Sequence, residues 1–426
     1  MIRMIVFWTH LVCGVVAGIV VFAMSLTGVL LTYERQINNW VAESHYVTAS
    51  DTNSRLPLEQ LLELQRLAQP DQAAAAVVIT NNPGAPVSFR AGRRGGLNLN
   101  PYTGETMIVE SPGLASFFGA VTSFHRWFSI EGENRAIARQ ITGVSNVIFL
   151  FLVLSGLYLW LPAIWKWGMF KVRLVFRGDY SNSKVRDFHW HHIFGIWAAI
   201  PLLAVVYSGA VISYPWAANL MYMAFGAEIP APPAAGNGGG PAQVQQGNEA
   251  NGQPANNQVN ARQSGNDQAG EQRFGNVQAG TIATVYALKN SGETTSSPIF
   301  LPLDDLLATV QGEISEDWNR LTLNLPAANQ TSIQVEIDRG NGAQAFKRHR
   351  LSLDRTTGDV IGVQNFVDTP EAQRLRGITR FLHTGEVLGF WGQTVAGLAS
   401  LAALFMVWTG FALSWRRLIQ PLFKKS

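Results

Sequence analysis

MIVFWTHLVCGVVAGIVVFAMSLTGVLLTY, residues 4–33, contains no Asp, Glu, Lys or Arg. Crossing a hydrocarbon core of about 30 Å as a helix takes roughly 20 such residues. Residues 141–165, 193–218 and 387–415 are similarly apolar. At that depth a backbone must satisfy its own hydrogen bonds, so four spanning helices are expected. The composition agrees, with 47% hydrophobic and only 14% charged residues. The first run is too long for a secretory h-region, and no small-x-small site precedes Tyr33-Glu34-Arg35, so it reads as a retained signal anchor. The single cysteine, Cys13, excludes an internal disulfide or a cysteine metal cluster.

Flanking charge sets the expected orientation. The loop after the second run carries Lys166, Lys171, Arg173, Arg177, Lys184 and Arg186 against Asp179 and Asp187. The C-terminus adds Arg416, Arg417, Lys424 and Lys425, and the N-terminus Arg3. By the positive-inside rule both termini and the middle loop are cytoplasmic, in a bacterial inner membrane. Segments 34–135 and 219–385 then face the periplasm. The net charge of +3 belongs to these flanks and is no nucleic-acid signal.

The expected order is a first span at 4–33, an outer segment at 34–135 and a second span at 136–165. A basic loop at 166–188, a third span at 189–218, an outer segment at 219–385, a fourth span at 386–415 and a tail at 416–426 follow. The chain reads as one unit written twice. His10, Gly14 and Gly28 in the first span match His191, Gly195 and Gly209 in the third, at spacings of +4 and +18. Each second glycine follows a hydroxyl residue, Thr27 or Ser208. The second and fourth spans match through SGLYLW (155–160) and TGFALSW (409–415). Each is preceded by an aromatic-flanked histidine, His125 in SFHRWF and His383 in RFLHTGE. The repeat is parallel, with a pseudo-twofold axis along the membrane normal.

The outer segments repeat as well. PLEQLLELQRLA (57–68) precedes strand-like runs near 75–80, 86–90 and 96–100, then NPYTGETM. PLDDLLATV (302–310) precedes RLTLNL, SIQVEID and RHRLSL, then DRTTGDVI. Glycine in the N/D-x-x-T-G turns supplies positive φ. Two small periplasmic α+β domains are expected, with residues 231–280, rich in Gly, Asn, Gln, Pro and Ala, as a disordered insert.

These motifs resemble the PepSY-associated transmembrane family: H-x-x-x-G opening the first and third spans, L-T-G or S-G late in the helices, and S-G-L-Y-L-W ending the second. The resemblance covers nearly the whole chain apart from 231–280. It implies a mainly α four-helix membrane bundle with two PepSY-like outer domains. It also implies kinship with inner-membrane reductases of ferric siderophores, which hold b-type haem between helices.

A lone histidine near a helix end is most often an interfacial residue or a cap. Four at repeat-related positions are harder to explain that way, because ionisable groups at membrane depth are costly. Haem iron takes axial imidazoles, and a twofold axis places equivalent histidines face to face. The expected pairs are His10 with His191 for an inner haem b and His125 with His383 for an outer one. Gly28 and Gly209 lie on the faces of His10 and His191, since +18 at about 100° per residue closes the turn. Such small-residue strips also pack helices without any ligand. His189 and His192 compete with His191, which alone keeps the His-to-Gly spacing. His45 and His349 read as surface residues.

Arg126 and Arg380 are the first candidates for haem propionates among six outer arginines, with Arg135, Arg139, Arg374 and Arg376. Snorkelling to lipid headgroups is the competing role. Arg3, Lys184 and Arg186 are the inner candidates. Trp127, Trp160, Trp165, Trp391 and Trp415 read as an aromatic belt. The resulting expectation is an oxidoreductase with two haems. It would carry electrons from a cytoplasmic donor or quinol, not identified by any flavin or nicotinamide motif, to a periplasmic ferric siderophore or similar ferric chelate. The alternative is a non-redox membrane module whose outer domains bind a peptide or protein. A transporter is disfavoured by the absence of Asp, Glu, Lys and Arg from the four apolar runs.

Overall fold

The computed structural model describes residues 1–48, 54–92, 95–162, 165–230, 299–314, 317–327 and 330–423. Among these residues four helices are long and apolar enough to cross a membrane: α1 (Ile2–Leu31), α5 (Arg135–Trp160), α7 (Ser183–Ser213) and α11 (Gly389–Leu418). The spans lie where the hydropathy placed them, but α5 and α7 end five residues early, at Trp160 and Ser213, α7 begins six residues early, and α11 runs on past Trp415. The remaining α-helices among the described residues are α2 (Glu34–Glu43), α3 (Leu58–Ala68), α4 (Pro112–Trp127), α6 (Trp167–Leu174), α8 (Pro215–Ala224), α9 (Leu303–Glu313), α10 (Glu371–His383) and the short α12 (Gln420–Phe423). The expected insert at 231–280 lies outside the described residues.

The long helices pack as a ring, α1 and α7 each against both α5 and α11, so α1 and α7 stand at opposite corners. Small residues line the contacts: Ala17, Ala198, Ala199, Ala399 and Ala403 are buried. A Cβ on Gly18 would stand 2.5 Å from the Phe411 ring and one on Gly397 2.8 Å from Thr32, so these backbones approach closely. Lipid-facing positions stay apolar, with Ile19, Ile200 and Leu398 at 60% exposure or more.

The outer segments depart from the expectation of two separate domains. Strands β1 (Ala76–Thr80), β2 (Val87–Ala91) and β3 (Gly95–Leu99) come from the first. Strands β4 (Arg320–Asn324), β5 (Ser332–Asp338), β6 (Arg348–Asp354) and β7 (Val360–Gln364) come from the second. They form one antiparallel sheet in the order β3-β2-β1-β4-β5-β6-β7, joined at β1–β4, where Val78 pairs with Thr322. One core serves both halves: Val77, Phe89, Leu321, Leu323, Val335 and Leu353 pack with Leu61 of α3 and Leu306 of α9. Those two helices also cap each other. Asp304 accepts from the Leu58 amide (2.8 Å), and Glu59 accepts from the Leu303 amide. Pro57 and Pro302, at the N-cap positions, provide no side-chain cap of their own.

The two turns form as expected. Asn100 and Asp354 accept from the amides two residues ahead, and Gly104 and Gly358 have φ of 74° and 81°. Arg35 and the buried Glu386 (3.0 Å) tie the sheet side of the bundle together.

Candidate functional site

Four histidines stand where neighbouring spans carry a hydroxyl residue followed by glycine. His10 on α1 places Nδ1 2.8 Å from Ser155 Oγ on α5, and His191 on α7 places Nδ1 3.0 Å from Thr409 Oγ1 on α11. His125, near the end of α4, reaches Thr27 Oγ1 on α1 at 2.8 Å. His383, ending α10, bonds Val205 O on α7 at 2.8 Å and lies 3.5 Å from Ser208 Oγ. The following glycine makes room for each ring. A Cβ on Gly156, Gly410, Gly28 or Gly209 would stand 3.4, 3.6, 3.9 or 3.2 Å from Cε1 of His10, His191, His125 or His383 respectively.

Proton accounting fixes the tautomer. A hydroxyl has one proton, and each of these hydroxyls gives it to its own helix: Ser155 to Phe151 O (2.7 Å), Thr409 to Phe405 O (2.7 Å), Thr27 to Ala23 O (2.8 Å) and Ser208 to Ala204 O (2.6 Å). The hydroxyls of Ser155, Thr409 and Thr27 must therefore accept from Nδ1–H, as Val205 O does from His383. All four rings hold their proton on Nδ1 and present Nε2 as a bare lone pair. Among the described residues nothing hydrogen-bonds to those four Nε2 atoms. This is the tautomer of a metal-binding imidazole held by a neighbour on its other nitrogen.

The His125 and His383 rings lie 6.3 Å apart between centroids. A metal between two imidazoles, each bound at about 2 Å, needs a centroid separation of about 6 Å. Burial, then proximity to His383 and to Arg126, lowers the His125 imidazole to about 4, and burial lowers His383. Both are therefore neutral near pH 7, as ligation requires. His10 and His191 belong to α1 and α7, at opposite corners of the ring. Along α1, His10 and Thr27 are 17 residues apart, about 26 Å on the axis, which sets two levels. The His125–His383 level lies on the sheet side. Among the described residues no three His, Cys, Asp or Glu side chains converge on a metal site. His125 and His383 would fit as two imidazole ligands of a haem iron.

Uncompensated positive charge accompanies both levels. Arg126 lies close to Arg139, Arg135 and Arg380, and none of the four forms an ion pair among the described residues. Arg126 and Arg135 both lie over the Trp127 ring, at 4.7 and 3.7 Å. At the other level Arg3 donates to Leu159 O and Leu161 O (2.8 and 2.9 Å), while Arg173 donates to Trp160 O on the same helix end. Crowded guanidiniums that form no ion pair among the described residues suit an anionic ligand.

Several residues sit elsewhere than the sequence suggested. Gly28 and Gly209 serve His125 and His383, not the histidines on their own helices. Gly14 faces Leu152, Gly18 faces Phe411, and Gly195 faces Met406. Arg186 is matched by Asp187 (3.0 Å), which also takes Arg416 at 2.6 Å. His189 spends both nitrogens, on Tyr180 OH (2.9 Å) and Val172 O (2.8 Å), and His192 Nδ1 bonds Phe188 O. Trp160 is buried rather than belt-like. Arg374 pairs with Glu371 at 3.8 Å. His45 and His349 are on exposed bonds, as expected.

Two residues carried no sequence signal of their own. Asn146 on α5 is buried, donates to Val206 O (2.9 Å) and packs at Gly209 beside His383. Ser400 on α11 stands at Gly28 beside His125. Each lies nine residues before the hydroxyl of its own helix, Ser155 or Thr409, a spacing that could have found them.

A family model described as the PepSY-associated TM region matches residues 7–417, and the chain belongs to this family. No curated protein matches it.

Proposed function

We propose that this member of the PepSY-associated transmembrane family is a two-haem b-type membrane reductase for ferric chelates such as ferric siderophores. His10 and His191 would hold one haem, and His125 and His383 the other. Bound haem supplies one-electron chemistry, and two of them at different depths give electrons a path across the bilayer. This chain's residues do the rest. Ser155, Thr409 and Thr27, with Val205 O, keep Nδ1 protonated and aim Nε2 inward. Arg3 and Arg173 on one level, and Arg126, Arg135, Arg139 and Arg380 on the other, offset the charge of propionates. The electron comes from outside the chain, from a membrane quinol or a cytosolic reductant. The acceptor is a ferric chelate at the sheet side, one electron per iron, and the ferrous product binds hard oxygen ligands more weakly. In this reading both termini and the 163–188 loop are cytoplasmic and the sheet is periplasmic, in a bacterial inner membrane.

The 6.3 Å separation of the His125 and His383 rings, with both Nε2 atoms unpartnered, carries the reading. Purified protein is expected to show a Soret band, α/β bands that sharpen on reduction, and two haems per chain. A colourless preparation from haem-replete cells overturns it. Reporter fusions in the 163–188 loop and after residue 423 are expected to report cytoplasm. A periplasmic signal there reverses the direction of electron flow.

A further inference from the structure

The stretch HTGE (383–386) leaves its last three residues without a role once His383 is placed. Gly385 turns the chain at φ 74°, and a Cβ on it would stand 2.3 Å from Gly392 O, so the turn lies backbone to backbone on the start of α11. Glu386 follows and is buried. Each of its carboxylate oxygens has a partner: Oε1 pairs with Arg35 Nε at 3.0 Å, and Oε2 accepts from Thr384 Oγ1 at 2.9 Å. Thr384 and Glu386 thus brace the turn that leaves His383.

Arg35 carries the link further. It stands in the first turn of α2, four residues beyond the end of α1 at Leu31. Its Nη1 donates to Asn341 O at 2.5 Å, in the connection between β5 and β6, and the Asn341 side chain donates to Glu386 O at 3.4 Å. The same Nη1 would lie 3.2 Å from a Cβ on Gly342, so the guanidinium sits close against that connection. One buried carboxylate therefore joins three places: the end of the first span, the β5–β6 connection and the turn after His383. The His125 side lacks such a clasp. Its turn runs through Phe128 and Ser129 at positive φ, and no ion pair reaches residues 126–134 among the described residues. Removing one partner of a buried pair is far more damaging than replacing both with apolar side chains, since it strands the other charge out of water. A pair that serves stability alone is thus replaceable by two apolar residues, whereas a pair that sets a position is not.

We propose that Glu386 is a positioning residue for His383: with Arg35 it fixes the His383 turn to the sheet, so that the sheet sets how this imidazole stands. The inference rests on the reductase reading for the iron that the imidazole meets, but the clasp itself is testable without haem. It makes the two ligands of one site unequal. His125 is held to the first span through Thr27, whereas the turn of His383 answers to the β5–β6 connection as well. A displacement of the sheet then reaches the site through His383 and not through His125.

The test compares Glu386→Ala with Arg35→Met/Glu386→Met in the full-length, haem-loaded protein in detergent. Oxidised protein is expected to give two low-spin electron paramagnetic resonance signals, and the one lost in His383→Ala is the sheet-side signal. Both variants are expected to shift that signal and leave the other in place, with sheet-side haem affinity at least about tenfold weaker, read as transfer to a haem scavenger. The thermal midpoint is expected to fall in Glu386→Ala and to recover in the double variant, which strands no charge and keeps the test open where Glu386→Ala does not fold. A native sheet-side signal in either variant overturns the proposal; in the double variant it means that the pair serves stability alone. Nitroxides at the exposed positions Gln334→Cys and Gln373→Cys, in a Cys13→Ser background, read the clasp with or without haem. The distance between sheet and α10 that they report is expected to broaden in both variants, and an unchanged distance overturns the clasp. A colourless protein in which it broadens overturns the reductase reading and keeps the clasp.

Discussion

The two histidine levels are built from one device but differ in what surrounds it. At the His10–His191 level both rings belong to spanning helices, and both Nδ1 protons go to hydroxyls, Ser155 and Thr409. At the His125–His383 level both rings sit on shorter helices, α4 and α10, laid against the spans. There one Nδ1 goes to the Thr27 hydroxyl, the other to the Val205 carbonyl. The first level thus takes its geometry from the bundle itself. The second depends on how the segments between the spans return to the bundle, and a cavity lined by Arg126 adjoins it. The same histidine–hydroxyl–glycine device can thus be fixed by span packing alone or by shorter helices laid on the spans.

The strongest way to break this comparison is to empty one level at a time. His10→Ala and His191→Ala are each expected to remove the same half of the haem, by pyridine haemochrome assay, and the double variant little more. His125→Ala and His383→Ala are expected to remove the other half. If His10→Ala and His125→Ala empty one common site, the pairing is wrong.

Space beside the rings gives the next largest effect. An added methyl at Gly209 would press on His383 and Asn146 at 3.2 Å, whereas at Gly28 it would stand 3.9 Å from His125. Gly209→Ala is expected to destabilise the sheet-side site by about 1–3 kcal/mol, seen as haem loss on dilution, and Gly28→Ala to be close to neutral. Equal effects would mean that the two halves of that site are packed alike.

Removing the acceptors sharpens the contrast further. Ser155→Ala, Thr409→Val and Thr27→Val are each expected to weaken haem binding about 10–100-fold, as losses of a ligand's hydrogen-bond partner do. Ser208→Ala is expected to cost clearly less, because His383 gives its proton to Val205 O. A loss as large as for Thr27→Val would show that the 3.5 Å contact is the one that counts.

The smallest effect falls on a histidine outside both levels. His189→Ala is expected to leave both haems bound and to lower stability by about 1–3 kcal/mol, through the lost bonds to Val172 O and Tyr180. Loss of colour in that variant would return His189 to the ligand set.

Much of this was legible because it is local. Hydropathy gave the four spans, and the repeat spacing picked His191 over His189 and His192. The N/D-x-x-T-G turns were readable because an Asx side chain and a left-handed glycine act within five residues. The single sheet was not readable, since β1–β4 pairing joins residues some 240 positions apart and either half looks self-sufficient in pattern. β7 was hidden behind the turn that precedes it. Arg186 read as free because its partner Asp187 was counted only as an offset to a loop's net charge, and Arg173 was overlooked for the same reason.

By itself the sequence determined how many times the chain crosses, which face of the first and third spans carries a histidine, and where a hydroxyl and a glycine stand together. Those follow from hydropathy and from about 100° and 1.5 Å per residue along one helix. Only the tertiary structure decided that Thr27-Gly28 serves His125 while Ser155-Gly156 serves His10. Helical spacing fixes the face and the depth of a residue on its own axis, but the neighbour at that depth is set by packing between helices. In this bundle the ring order and the return of α4 and α10 against α1 and α7 make that choice.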